Sequence, residues 1–414
     1  MNFENRRIKL MGTMEDRSIV VLFSGNQVMR SEDEEFPFDV NRSFYYFTGL
    51  DREGMILLMH KVNGQVSTTL FIPPYDELLA KWVGGRMRFN EAAEISGITD
   101  VCDVAEFDEY IANLYNAERS FGHLHFGLDL WRYTANQLPS EGISFANTLQ
   151  TKYPCVEIED IYGKIAALRM IKDEEEILEI SKAIAITQKG VESMMYNIRP
   201  NMNEMVVEGI FDFALMQRGC NKHAFKTIAA SGMRATTLHY SDNNQVAKDG
   251  ELFLCDLGAT SNYYCADISR TFPVNGKFTD RQKEIYNTVL NAQKIVEKNA
   301  KPGVTLRQLN NMVRDYYAEV LPTLGLNKGV SEYYFHGVSH QLGLDTHDVT
   351  DSRKGGVLEP GMVISNEPGL YIADEGIGIR IEDDLYITDH GCVDLAKNII
   401  KEVDDIEKLM QHNR

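Results

Sequence analysis

Three histidines fall within twelve residues in His336-Gly-Val-Ser-His340-Gln-Leu-Gly343-Leu-Asp-Thr-His347-Asp348, and the whole chain has only ten. Imidazoles this dense can bind a metal, relay protons or hold a substrate. The four-residue step from His336 to His340 fits one helical face, but Gly337, Val338 and Gly343 disfavour a helix. The stretch is expected to be irregular strand and loop lining a cleft. The zinc-protease pattern needs Glu directly after the first histidine, and Gly337 stands there instead. One histidine can therefore ligate a metal while its neighbours handle protons or substrate, with the remaining ligands coming from elsewhere.

The sequence supplies carboxylates in strand-like runs. Asp256 interrupts Leu252-Phe-Leu-Cys-Asp256-Leu-Gly258, and Asp267 follows in Tyr263-Tyr-Cys-Ala-Asp267-Ile-Ser-Arg-Thr271. This pair reads as a hairpin joined by a short Gly/Ser/Asn-containing turn. Glu367 lies in Val363-Ile-Ser-Asn-Glu367-Pro-Gly-Leu-Tyr-Ile372, and Glu382 in Gly378-Ile-Arg380-Ile-Glu382-Asp383. A carboxylate inside a buried strand is costly unless it is paired or bound to a cation. Four such acids balance two divalent cations, and a neutral His340 completes the set. Oxygen ligands with one imidazole suit Mn²⁺ or a similar hard ion better than a thiolate zinc site. Any one of these acids alone could be a surface or salt-bridged residue; the five residues together argue for a metal centre. Cys255 and Cys265 stand near the acids, and Cys265 shares a strand face with Asp267. Buried structural thiols are the expected role for both.

The elements that must position these groups fall into two domains, expected at 1–165 and 166–414. The first reads as mixed α/β. Ser18–Phe23, Gly54–Met59, Ser67–Ile72 and 121–128 are expected strands, Leu78–Trp82 and Phe89–Ile95 short helices, and Ser31–Glu35 an exposed loop. The second opens at Asp173-Glu-Glu-Glu176, a capping-box variant, followed by a helical stripe of Ile177, Ile180, Ile184, Val191 and Met195. Its order of long helix, proline turn, second helix and strands occurs twice: Asp173–Asn197, Pro200, Asn203–Arg218; then Thr279–Ala300, Pro302, Thr305–Leu321. Such repetition predicts two similar halves and a site between them. A net charge of −19 argues against nucleic-acid or anionic-membrane binding. Six cysteines without a Cys-x-x-Cys pair, and no signal-peptide or transmembrane-length apolar run, predict a reduced cytoplasmic protein.

With these residues in view, the sequence resembles the proline-specific metallopeptidases of pita-bread fold, most closely the aminopeptidase P (Xaa-Pro aminopeptidase) family. The resemblance covers nearly the whole chain. It rests on Leu238-His239-Tyr240, Asp256-Leu-Gly258, Asp267-Ile-Ser-Arg-Thr271, the histidine stretch itself, Glu367-Pro-Gly-Leu-Tyr371 and Arg380-Ile-Glu382-Asp. It implies an α/β N-terminal domain of creatinase/aminopeptidase P type. It also implies an α+β pita-bread domain with a curved antiparallel sheet and pseudo-twofold halves. Asp256, Asp267, His340, Glu367 and Glu382 are the implied ligands of two divalent ions, Mn²⁺ first, with Co²⁺ or Zn²⁺ as alternatives. The implied reaction is two-metal hydrolysis before a proline in second position, with Glu367 moving the proton and His239 and His347 stabilising the oxyanion. His336, Tyr371 and Arg380 match the proline side of the site, and Trp82 matches a Trp-x-Gly stretch that reaches substrate in a neighbouring subunit's active site. Glu35–Phe38 and Asn41–Gly49 match the N-terminal domain, although Ser43 replaces an acid and Tyr45 a frequent Trp. The resemblance also implies a homodimer or homotetramer. An Xaa-Pro dipeptidase shares the same metal site, and a non-catalytic scaffold on this fold would lack part of it.

Overall fold

The computed structural model describes residues 1–118, 124–131, 140–350 and 355–411. It comprises two compact units, Met1–Arg169 and Met170–Arg414.

The first unit runs α1 (Phe3–Gly12), β1 (Ser18–Phe23), α2 (Arg42–Thr48), β2 (Ile56–Val62), β3 (Gln65–Ile72), α3 (Glu77–Val83), α4 (Phe89–Ser96) and β4 (Asp100–Asp103). It continues with α5 (Phe107–Glu118), β5 (Leu124–Leu128), α6 (Glu141–Lys152), β6 (Val156–Asp160) and α7 (Tyr162–Met170), whose last residue begins the second unit. Its six strands form one mixed sheet in the order β4-β3-β2-β1-β5-β6. β1 is apolar on successive residues because both of its faces are covered. Ile19 and Val21 join Phe71, Phe107, Ile111, Phe126 and Leu149 in one cluster. Val20, on the other face, lies beside Met14 and Ile161 around Gly127. The expected strands and short helices are present within a few residues of their predicted ends. Residues 121–123 of the predicted 121–128 strand lie outside the described residues. Ser31–Glu35 is exposed throughout.

The second unit opens with α8 (Glu174–Asn197) and α9 (Glu204–Met216). Asp173 and Glu176 form the reciprocal capping box the sequence predicts, a feature worth about 1 kcal/mol. Ile180, Ile184, Val191 and Met195 are buried along the stripe. α8 and α9 meet so closely that a Cβ on Gly190 would lie 2.2 Å from the Phe211 ring. Next come β7 (Ile228–Ser231), β8 (Leu252–Leu257), β9 (Thr260–Ser261), β10 (Tyr264–Cys265) and β11 (Ile268–Pro273). The pattern then repeats with α10 (Asp280–Asn299) and α11 (Leu306–Val320), each opened by a capping box. The short α12 (Val330–Tyr333) precedes β12 (Val363–Asn366), β13 (Gly369–Ile372), β14 (Ile377–Arg380), β15 (Asp383–Ile387), β16 (Cys392–Asp394) and α13 (Val403–Gln411).

Each half carries a three-stranded sheet, ordered β11-β8-β7 and β12-β15-β16, and among the described residues every strand pairing in this unit is antiparallel. Two local details differ from the sequence reading. The first hairpin is not a plain one, because a β9–β10 ribbon is interposed between β8 and β11. The run 363–372 is two strands, since Pro368 has no N–H to continue a ladder.

Candidate metal centre and active site

Three of the four acids sit just beyond the ends of ladders, and Asp256 sits one pair inside one. Asn366 pairs with Asp383 at the end of the β12–β15 ladder. Glu367 and Glu382 are therefore the next residue outward on each side. In the first half Leu257 pairs with Ile268 at the ladder end; Asp267 is the next residue outward, and Asp256 is one pair inward, opposite Ser269. Residues at such ends can turn their side chains together without breaking strand bonds. Gly258 makes the first corner possible, since a Cβ there would lie 1.8 Å from the Ala266 carbonyl oxygen.

The histidine stretch is irregular, as its glycines predict. It is laid along β12 by Ser365 N–H to His340 O (3.0 Å), Leu342 N–H to Val363 O (3.0 Å) and Glu367 N–H to Val338 O (3.0 Å). Its other side is tied to the first half by Cys265 N–H to Gly343 O (2.8 Å). Behind it, Lys172 Nζ and Asp348 Oδ2 pair at 3.2 Å with both side chains 1% exposed.

A cavity of about 580 Å³ opens over this arrangement, lined by all five predicted ligands together with His239, His336, His347 and Arg380. Ligand atoms of Asp267, His340 and Glu382 lie within 4.8 Å of one another. His340 Nε2 is 3.3 Å from Asp267 Oδ2 and 3.4 Å from Glu367 Oε1. Burial, reinforced by neighbouring carboxylates, pushes Asp267 up to about 6 and Glu367 up to about 7, and raises Glu382 well above the usual range. Burial alone would lower His340, but its bond to Asp267 and the surrounding negative charge raise it to about 9. Asp256 Oδ1 is buried without a hydrogen-bond partner. Packed carboxylates that resist ionisation, one imidazole and an unsatisfied buried oxygen fit a divalent metal, whose charge offsets their repulsion.

The other predicted residues divide. His336 lines the cavity; its Nε2 meets the Tyr371 hydroxyl at 2.9 Å and its Nδ1 the Gly337 carbonyl at 2.7 Å. Burial and the nearby Arg380 lower it to about 4, so its ring is neutral near pH 7. The His347 ring centroid is 4.2 Å from that of His340. His239 is exposed on the cavity wall. Arg380 and Tyr371 are both buried, and both bond to groups that line the cavity. Arg380 donates to Asp256 Oδ2 (2.6 Å), the Tyr371 hydroxyl (2.9 Å) and Ser269 Oγ (2.8 Å). Tyr371 is not among the lining residues. Trp82, on α3 of the first unit, is 82% exposed. The two cysteines take structural roles: Cys255 is buried and its thiol is pushed up to about 12 by burial, while Cys265 Sγ donates to backbone carbonyls.

Sequence reasoning left three supporting residues unassigned. Ser269 Oγ donates to Glu382 Oε2 at 2.8 Å. Arg270, fully buried, uses every guanidinium N–H on Ser269 O, Glu382 O, Ile399 O, Ile400 O and Asp383 Oδ1. Glu204 gathers donors beneath the His239 loop. Ser269 stands two residues after Asp267, and that period was a signal available in the sequence.

Comparison with known proteins identifies the family. Residues 179–389 match the model of metallopeptidase family M24, and residues 3–122 that of the aminopeptidase P N-terminal domain. The chain belongs to metallopeptidase family M24 and, within it, to the Xaa-Pro aminopeptidases. It is similar to the Xaa-Pro aminopeptidase of Haemophilus influenzae, at 32% identity over 99% of this chain and 96% of that protein. It is also similar to yeast intermediate cleaving peptidase 55, at 29% identity over 100% and 84%. Among solved structures, Escherichia coli aminopeptidase P with the inhibitor Pro-Leu aligns with TM-score 0.90 and 31% identity, covering 100% of this chain and 98% of that one. The fold of the second unit is accordingly the pita-bread fold, preceded by an aminopeptidase P N-terminal domain. No helix among the described residues is long and apolar enough to cross a membrane.

Proposed function

We propose that this chain hydrolyses the bond before proline in peptides whose second residue is proline, releasing the N-terminal residue. The observation that carries the proposal is the convergence of Asp267, His340 and Glu382 in one cavity with Asp256, Glu367 and three further histidines. Asp256, Asp267, His340, Glu367 and Glu382 would hold two divalent ions. The oxygen-rich set favours Mn²⁺, with Co²⁺ or Zn²⁺ as alternatives. When bound, such ions polarise the scissile carbonyl and lower the pKa of water.

The chain's own residues do the rest. Glu367 takes a proton from the attacking water at its carboxylate as the water oxygen bonds to the carbonyl carbon, and delivers it to the proline nitrogen as the carbon–nitrogen bond breaks. His239 and His347 donate hydrogen bonds to the carbonyl oxygen as it becomes negative. His336, neutral and fixed by Tyr371, borders the proline ring, and Arg380 contributes by holding Asp256 in place. Trp82, exposed on its own unit, would reach substrate held by a neighbouring subunit of the oligomer. Proline lacks an N–H and fixes its backbone, so a site that needs neither can accept it. A homodimer or homotetramer in a reducing cytoplasm completes the reading.

Turnover of an Xaa-Pro dipeptide and an Xaa-Pro-Xaa tripeptide by the Mn²⁺-loaded protein tests it. Faster cleavage of the tripeptide supports the proposal; strong preference for the dipeptide makes the protein an Xaa-Pro dipeptidase. Protein that neither binds Mn²⁺, Co²⁺ or Zn²⁺ nor gains activity from them would be a scaffold.

A further inference from the structure

His239 stands exposed on the segment between the 3-10 turn Gly232–Thr236 and Asn243, on the cavity wall. The backbone that carries an exposed ring must supply much of its placement, and here that backbone is gathered from below by one buried carboxylate. Glu204, the first residue of α9, is 0% exposed. Its Oε1 accepts from Ser231 N–H (2.8 Å), Ser231 Oγ (2.7 Å) and Arg234 Nε (3.0 Å). Its Oε2 accepts from the Tyr240 hydroxyl (2.8 Å) and Gln245 N–H (2.9 Å). Ser231 and Arg234 precede His239; Tyr240 and Gln245 follow it. One carboxylate thus closes the segment at both ends, with Tyr240 directly beside the histidine. Asn243 adds a second tie in the same segment, accepting from Ala229 N–H (3.0 Å) and donating to Thr227 O (2.8 Å). Hydrogen bonds to a charged acceptor are about twice as strong as neutral ones, so this cluster is stiff.

We infer that Glu204 is a positioning residue for His239, setting through Tyr240 and the Ser231–Arg234 turn where that imidazole stands in the cavity. Glu204 does not itself line the cavity. The inference rests on the proposed oxyanion role of His239. Misplacement of a catalytic group by about 1 Å costs on the order of 100-fold in rate. Glu204→Gln puts an amide against a set of donors, so kcat on an Xaa-Pro-Xaa peptide should fall about 10- to 100-fold, with KM changed far less. Tyr240→Phe removes one bond and should move kcat the same way by a smaller factor; it decides the matter if Glu204→Gln does not fold. In a His239→Ala background, Glu204→Gln should cost less than about 2-fold more, because both act through one group. Equal losses with and without His239, or an unchanged kcat, would overturn the inference. Hydrogen exchange of the 231–245 amides in metal-free protein gives a readout independent of activity. Exchange should accelerate in Glu204→Gln, and unchanged exchange also overturns the inference. A wild-type protein that cleaves no Xaa-Pro peptide would defeat the proposed function while leaving the exchange result to stand alone.

Discussion

Replacing Arg270 with lysine keeps the charge and removes the fork, which makes it a sharp test of what holds Glu382. The guanidinium is fully buried and satisfied at every N–H: Nε to Ile400 O (3.0 Å), Nη1 to Ser269 O (2.9 Å) and Glu382 O (2.6 Å), and Nη2 to Asp383 Oδ1 (2.6 Å) and Ile399 O (3.1 Å). An ammonium has three donors, so at least two of these acceptors lose their partner inside the protein. Each bond from a charged donor is worth about 1.5–3 kcal/mol, and its loss leaves a buried carbonyl unpaired, so Arg270→Lys should cost at least about 3 kcal/mol. Asp383 keeps Lys401 as a partner, so the loss is one of geometry and not of a bare charge. Because two of the bonds fix Glu382 and Asp383, metal affinity should also fall about 10- to 100-fold. Denaturant-dependent hydrogen exchange of β8, β11 and β15 amides reports the stability of this unit directly, and titration with Mn²⁺ reports affinity. A variant within about 1 kcal/mol of wild type, with unchanged metal binding, would refute the view that Arg270 braces the centre.

Asp267→Asn should leave the fold largely intact and lower both metal content and turnover by at least about 100-fold, measured by elemental analysis and peptide assay; an active variant means the ligand set is wrong. Metal-free protein should lose stability as pH rises. Asp267 and Glu367 have folded pKa values raised to about 6 and about 7, above the unfolded value near 4. Their contribution is therefore fully present below about pH 4 and lost as pH climbs through 6 to 7. Thermal melts of metal-free and metal-loaded protein between those limits should diverge upward in pH, and parallel curves would contradict this. Gly258→Ala should destabilise the second unit by about 1–3 kcal/mol or more, because the intruding Cβ meets the Ala266 backbone and not a movable side-chain end; a melting temperature equal to wild type would show that the corner relaxes.

The residue types of the site are legible in the sequence because they are locally improbable. Acids stand inside apolar runs, and three histidines are set among glycines. Helix starts are legible for the same local reason: Asp173, Thr279 and Thr305 each cap their own backbone three residues on. What the sequence leaves open is decided by contacts between distant segments. Arg380 reaches Asp256 across 124 positions, and Lys172 reaches Asp348 across 176. Local periodicity carries no information about such pairs, so the bonds of Arg380 to Asp256 and of Tyr371 to His336 could not be read from the sequence. Arg270 and Glu204 look like ordinary surface charges in sequence. Only the packing of β11 against the 380–400 segment, and of α9 beneath the 231–245 loop, buries them and gives their charges a purpose. The histidine stretch shows the same division: its composition predicts an irregular metal-lining segment, and the β12 ladder decides that His340 is the ring brought against Asp267 and Glu367.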